Sequence, residues 1–201
     1  MQRHEKRFHL ADISETARYR DYESSFFWLS DAQIVNICYA ATEPTVGLKM
    51  RLDSSALKCY MADTGLLISH AFDENTIASE KLYQKLLLDK LEINKGMLVE
   101  NIVAQMLRAS GHKLYFYSSY SLTDASERME VDFLVQKNNL TNRHNICPIE
   151  VKSTTKYTIS SIKKFQKKYA EEVSIPIVLH TKDLEIKDGI TYLPLYMTPL
   201  L

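Results

Sequence analysis

Two short stretches carry the residues best suited to chemistry: residues 127–136, ERMEVDFLVQ, and residues 146–153, ICPIEVKS. Val131, Phe133 and Val135 alternate with Glu130, Asp132 and Leu134, and Ile149 and Val151 alternate with Glu150 and Lys152. That period of two is the mark of a strand. Asn138, Asn139, Asn142 and Asn145 lie between them, residues that favour turns, so the pair reads as a hairpin with a long loop. Neighbouring strands lie ~4.8 Å apart, which lets Asp132 and Glu150 converge, with Lys152 one pleat further on. Two carboxylates beside an ammonium suit hydrolysis assisted by a divalent metal. The plainer alternative is a cross-strand ion pair of Lys152 with Glu150 or Asp132, exposed and contributing little.

A third acid stands on the element that must pack against such a sheet. Residues 96–109 read as a helix, with Leu98, Ile102 and Met106 along one edge of its apolar arc and Val99, Val103 and Leu107 along the other. Gly111 ends it. At about 100° per residue, Glu100 falls about 20° beyond Leu107, at the border of the apolar arc. Burial there is costly without a partner, so the simple expectation is a glutamate that reaches solvent. Lys113 to Tyr120 reads as a strand, residues 175–180 as a short buried strand, and residues 189–195 as one more. Between them, residues 159–169 form a basic amphipathic helix that displays Lys163, Lys164, Lys167 and Lys168 around Ile162 and Phe165. Those lysines could grip a nucleic-acid backbone, although a charge run on a helix is usually a solvated face.

Upstream, residues 12–35 contain neither Gly nor Pro, and Tyr22, Phe26, Leu29 and Ile34 form a helical stripe. Phe27 and Trp28 widen it to a face expected to be buried. Residues 34–39 and 56–61 then read as a two-stranded ribbon punctuated by Pro44 and Gly47. Helices followed by a ribbon suggest a winged helix, or simply a small helical scaffold with a hairpin. Residues 73–94 are polar and charged around Leu82, Leu86, Leu87, Leu88 and Leu91, a helical connector whose leucines serve packing.

Composition narrows the remaining classes. Formal net charge is zero, so bulk electrostatics select no partner and only local patches matter. Cys38, Cys59 and Cys147 are too few and too scattered for a disulfide framework or a CxxC metal site and read as buried thiols, and a reducing cytoplasm is the expected compartment. The basic start, MQRHEKR, leads into no apolar core, so neither a signal peptide nor a membrane span is expected. Six histidines are dispersed without an HExxH pairing, which argues against zinc. Ser153 lacks the flanking glycines of a nucleophile elbow.

The order helix, three strands, helix, strand, with Glu100, Asp132, Glu150 and Lys152 in sequence, resembles the PD-(D/E)XK nuclease-like superfamily. A wider set of stretches, RYRDYESSFFWLSDAQIV, ALKCYMADTGLL, GMLVENIVAQML, EVDFLV, PIEVKS and GITYLPLY, resembles the layout of the domain of unknown function 4143. Members of that family lie C-terminal to an AAA-type ATPase module, after a winged-helix segment. The resemblance implies an α/β chain with three parts: a partial winged-helix-like segment over 1–70, a helical connector over 71–95, and a nuclease-like αβββαβ core with a mixed sheet over 96–201. It implies Mg²⁺ or Mn²⁺ held by Asp132, Glu150 and the backbone carbonyl of Val151, with Glu100 contributing directly or through water and Lys152 activating the attacking water. It implies DNA as partner, contacted by Lys163, Lys164, Lys167 and Lys168, and an ATPase as companion. Nothing in the chain reads GxxxxGK[ST], so no phosphate cradle and no ATP hydrolysis are expected, and the chain reads as the C-terminal portion of a larger ATPase. Two function classes follow: a Mg²⁺-dependent nuclease or nuclease-like DNA-binding module, and a non-catalytic interaction domain that couples an ATPase to its target.

Overall fold

A computed structural model describes residues 8–9, 19–45, 47–71, 95–137 and 144–201. Its strands are β1 (Phe8–His9), β2 (Val35–Ala41), β3 (Leu52–Met61), β4 (Leu114–Ser119), β5 (Met129–Gln136), β6 (Ile146–Val151), β7 (Ile177–His180), β8 (Glu185–Lys187) and β9 (Ile190–Pro194). Its helices are α1 (Tyr19–Asp31), α2 (Thr64–Ala71), α3 (Lys95–Ala109) and α4 (Ser160–Lys168). All nine strands join in one mixed sheet of order β1-β3-β2-β4-β5-β6-β7-β9-β8. The ribbon expected upstream is present as β2 and β3, but it does not stand apart as a winged helix would. Its strand β2 pairs parallel with β4, Cys38 opposite Leu114 and Ala41 opposite Tyr117, so the ribbon extends the sheet. Most of the connector expected over 71–95 lies outside the described residues.

Two layers of helix cover the sheet. Val103, Ala104 and Leu107 of α3 pack on Cys38, Ala40, Leu114, Phe116, Phe133, Val135, Cys147 and Ile149. The opposite face packs Phe165 of α4 against Tyr115, Tyr117, Val131 and Leu134, and Ile162 against Val178, Ile190 and Tyr192. Helix α3 ends as its glycine requires. Gly111 sits at φ 88°, His112 N–H bonds the Leu107 carbonyl and Gly111 N–H that of Arg108, the paired bonds of a Schellman cap.

The broad apolar face expected of α1 is a correction. Among the described side chains of α1 Phe26 alone is fully buried, against Val35, Ile37 and Leu57, while Phe27 is 60% and Trp28 66% exposed. The helix stops at Asp31 in a cap with Gln33 at φ 56°, so it lies on the ribbon by Phe26 with Tyr22 half-buried beside it, while Phe27 and Trp28 turn outward.

Alternation along β5 also departs from the simple period. Between β4 and β5 the register runs Tyr115 opposite Leu134 but Tyr117 opposite Val131, so β5 carries one extra residue. Such a bulge breaks the in-and-out rhythm. Met129, Val131 and Leu134 therefore pack on the α4 side, Phe133 and Val135 on the α3 side.

Candidate functional site

Strand β3 turns Ala56, Lys58 and Tyr60 toward α3, and the Lys58 ammonium there is 1% exposed. An ammonium taken out of water needs carboxylates around it. Three supply them: Glu100 Oε1 at 3.0 Å, Glu130 Oε1 at 3.0 Å and Asp132 Oδ1 at 3.9 Å. The Phe116 ring lies 5.0 Å from the same nitrogen. Burial pulls the Lys58 pKa down, but Glu100, Asp132 and Glu130 outweigh it and hold the ammonium well above its ordinary range.

Glu100 is buried rather than solvated, which corrects the border position read from the helical wheel. The buried face of α3 runs Glu100, Val103, Ala104, Leu107, so Glu100 opens the face. Besides Lys58 it has Tyr60, whose hydroxyl donates to Glu100 Oε1 at 2.5 Å. Burial first, and then the Glu100 charge, push the Tyr60 phenol well above its usual pKa. Sequence reading passed over Lys58, Tyr60 and Glu130. The available signal was a lysine between the apolar Leu57 and Cys59, two residues before a tyrosine, in a strand otherwise fit for burial.

Asp132 sits at the bulge, where the β5–β6 ladder stops. Pairing runs from Gln136 opposite Ile146 to Phe133 opposite Ile149, and beyond it Glu150 and Val151 pair with β7. Into the gap Asp132 turns Oδ2, which accepts the Val151 N–H at 2.9 Å. Ile149 and Val151 belong to the core under α3, so Glu150 and Lys152 leave β6 by the other face. There Lys152 Nζ donates to Glu150 Oε1 at 2.5 Å, and Glu150 Oε2 is buried without a hydrogen bond among the described residues. The four acids and bases expected together are thus divided: Glu100 and Asp132 around Lys58, Glu150 with Lys152, joined through the Val151 amide.

This arrangement does not fit the implied Mg²⁺. Of the implied ligands, Asp132 already turns Oδ1 to the Lys58 ammonium and Glu150 turns Oε1 to Lys152, and among the described residues no three His, Cys, Asp or Glu side chains form a metal-binding group. Val151 contributes its N–H to Asp132.

The basic helix is partly occupied with its own protein. Lys164 Nζ donates to the carbonyls of Ala125 at 2.6 Å and Arg128 at 3.3 Å, and Lys168 pairs with Glu127. Lys163 lies 3.5 Å from Asp188. Lys167 is exposed. Three of the four lysines thus tie α4 to the β4–β5 connection and to the β8–β9 turn. No described helix is long and apolar enough to cross a membrane.

Residues 1–76 match a second domain of unknown function (DUF8612). The two matched stretches contribute strands to the same sheet. No curated protein and no solved structure matches the chain. Residues 95–198, which carry α3, β4 to β9 and α4, match the domain of unknown function DUF4143, and the chain belongs to that family.

Proposed function

We propose that this chain is a PD-(D/E)XK nuclease-like module that holds DNA for an AAA-type ATPase without cutting it. One observation carries the reading: Glu100 and Asp132, the first two acids of the nuclease-like order, are balanced by the buried Lys58 ammonium. Hydrolysis of a phosphodiester needs positive charge directed at the scissile phosphate. Here the positive charge is directed into the protein. The exposed edge of α4, with Lys163, Lys167 and Lys168, is the surface offered to phosphate, at the cost of displacing Asp188 and Glu127. The link to an ATPase rests on the family resemblance alone.

Metal-dependent hydrolysis is the competing reading, and Glu150 favours it, because Glu150 Oε2 is a buried carboxylate oxygen with no hydrogen bond among the described residues. The two separate in one experiment. Purified protein is incubated with supercoiled plasmid and single-stranded DNA in Mg²⁺ or Mn²⁺, and DNA affinity is followed by fluorescence anisotropy across a salt series. The expected result is no cleavage and an affinity that falls with salt, less steeply once Lys163, Lys167 and Lys168 are changed to Ala. Cleavage that Asp132→Asn abolishes would establish hydrolysis instead. Affinity indifferent to salt and to those lysines would overturn the DNA-holding role.

A further inference from the structure

On the sheet face that carries α1, Leu57 of β3, Tyr39 of β2 and Tyr115 of β4 lie side by side, Tyr39 being the register partner of both neighbours. Adjacent strands stand ~4.8 Å apart, so the two phenols are neighbours on one face. Beyond Tyr39 the ladder slips: Tyr39 faces Leu57 but Ala40 faces Asp53, and an irregularity of that kind bends β3. Residues on both sides of the slip line a cavity of about 440 Å³, within the roughly 300–1,000 Å³ of small-molecule sites. Tyr115 lines it too. That residue is 7% exposed, yet its hydroxyl has no hydrogen-bond partner among the described residues. The oxygen is not sealed in the core either, so it opens to the cavity. Three cations reach the same space from different elements: Lys49 from the turn Leu48–Met50, Arg108 from the last turn of α3, and Lys113 from the residue before β4. Among the described residues Lys49 and Lys113 have neither an ion pair nor a side-chain hydrogen bond, and Arg108 gives one donor, Nη1, to the His112 carbonyl at 3.4 Å. Glu23 and Asp53 also line the cavity, so three cations stand against two acids and one positive charge is left over.

We infer that this cavity takes one nucleotide with an unpaired base, the base entering beside Tyr39 and Tyr115 and the phosphate resting on Lys49, Arg108 and Lys113. A flat ring with polar edges suits a floor of two phenols, one of which presents an unbonded hydroxyl, and aromatic side chains hold single strands in this way without regard to sequence. Burial first, and then Tyr39, hold the Tyr115 phenol above its ordinary pKa, which keeps the hydroxyl a donor at neutral pH. A phosphodiester carries the one negative charge that the lining lacks, and its oxygens accept from ammonium and guanidinium groups. A paired base has its polar edge occupied and its faces stacked, so the site selects single strands over duplex. Tyr39 and Lys49 belong to one matched segment and Arg108, Lys113 and Tyr115 to the other, so the cavity exists only where the two segments join. The inference deepens the DNA-holding role by naming the strand, and rests on that role for the source of the nucleotide. It uses none of the α4 lysines, so the two fail separately.

The test uses the whole chain and compares, by fluorescence anisotropy across a salt series, a labelled oligo-dT with an abasic phosphodiester strand of the same length. Both strands offer phosphate, and only one offers bases. Wild type should prefer oligo-dT by at least about fivefold, the worth of one stacked base. Tyr115→Phe, which keeps the core filled, and Tyr39→Leu should bring that preference toward unity. Changing Lys49 and Lys113 together to Gln should weaken binding of oligo-dT at least about tenfold and flatten its salt dependence, and both residues are exposed, so the fold is kept. Free dTMP is the second ligand. If dTMP binds with the same dependence on Tyr115 and no strand binds, the nucleotide site stands and the DNA-holding role falls. Equal binding of natural and abasic strands overturns the inference whatever the α4 lysines do, as does a base preference that survives both tyrosine changes, or affinity unmoved by loss of Lys49 and Lys113. Absence of binding by oligo-dT and dTMP alike overturns it as well.

Discussion

Removing Lys58 or Glu100 should show that the two are coupled, and the structure sets the size of the effect. At 3.0 Å and an effective dielectric of ~20, a pair of unit charges attracts by roughly 5 kcal/mol, a gain that desolvation of both groups largely offsets. The net worth of the pair is therefore small, while the cost of breaking it from one side is large. Lys58→Met removes the buried ammonium that Glu100, Glu130 and Asp132 face and should cost about 3–5 kcal/mol. Glu100→Gln is milder. Its amide oxygen still accepts from Tyr60, and Lys58 keeps Glu130 and Asp132, so about 1–3 kcal/mol is expected. Glu130→Gln should cost least, because that side chain is 31% exposed and water screens its charge. The double variant Lys58→Met with Glu100→Gln should be more stable than the sum of its parts by about 1–3 kcal/mol, since the second change removes a charge that the first left unbalanced. Urea unfolding of the four proteins gives the coupling energy, provided the slopes agree. Additivity within about 0.5 kcal/mol, or a Lys58→Met cost below about 1 kcal/mol, would refute the buried cluster.

Alkali and the exposed helix face provide two further checks. Burial raises the Cys38 thiol, burial and Glu100 raise the Tyr60 phenol, and carboxylates raise Lys58 against its burial, so in each case the folded chain keeps a proton that the unfolded chain gives up. That sign means the stabilisation is complete below the unfolded pKa and declines as pH climbs toward the folded one. Urea midpoints should fall from about pH 8.5, the unfolded thiol range, and more steeply above about 10, where unfolded tyrosine and lysine titrate. A midpoint constant from pH 7 to 11 would contradict the burial of these groups. On α1, Phe26→Ala should destabilise by about 3 kcal/mol and Trp28→Ala by no more than about 0.5 kcal/mol, because only Phe26 leaves a cavity. Equal costs in thermal or urea melts would mean that the aromatic face is covered.

Local pattern carried much of the scaffold. The 3.6-residue period and Gly111 located α3 to within a residue, alternation located β5 and β6, and the amphipathic run from Ile159 located α4. These signals are legible because each depends on neighbours a few residues away, where the backbone alone fixes which side chains share a face. The acids Glu100 and Asp132 were legible too, as charges in segments otherwise built for burial.

What occupies the space between those acids was settled by the tertiary structure. Lys58 reaches Glu100 across 42 positions of sequence, and only the pairing of β2 with β4 brings β3 under α3. No local period encodes that contact. The bulge in β5 is likewise a property of its pairing with β4: it turns Asp132 and Phe133 together toward α3, while unbroken alternation in β6 sends Glu150 to the other face. From the sequence alone the chain carries acids in a nuclease-like order. A strand from outside the matched family segment, brought in by sheet formation, sets a lysine among them, because a buried carboxylate must find a cation and this fold supplies one from its own chain.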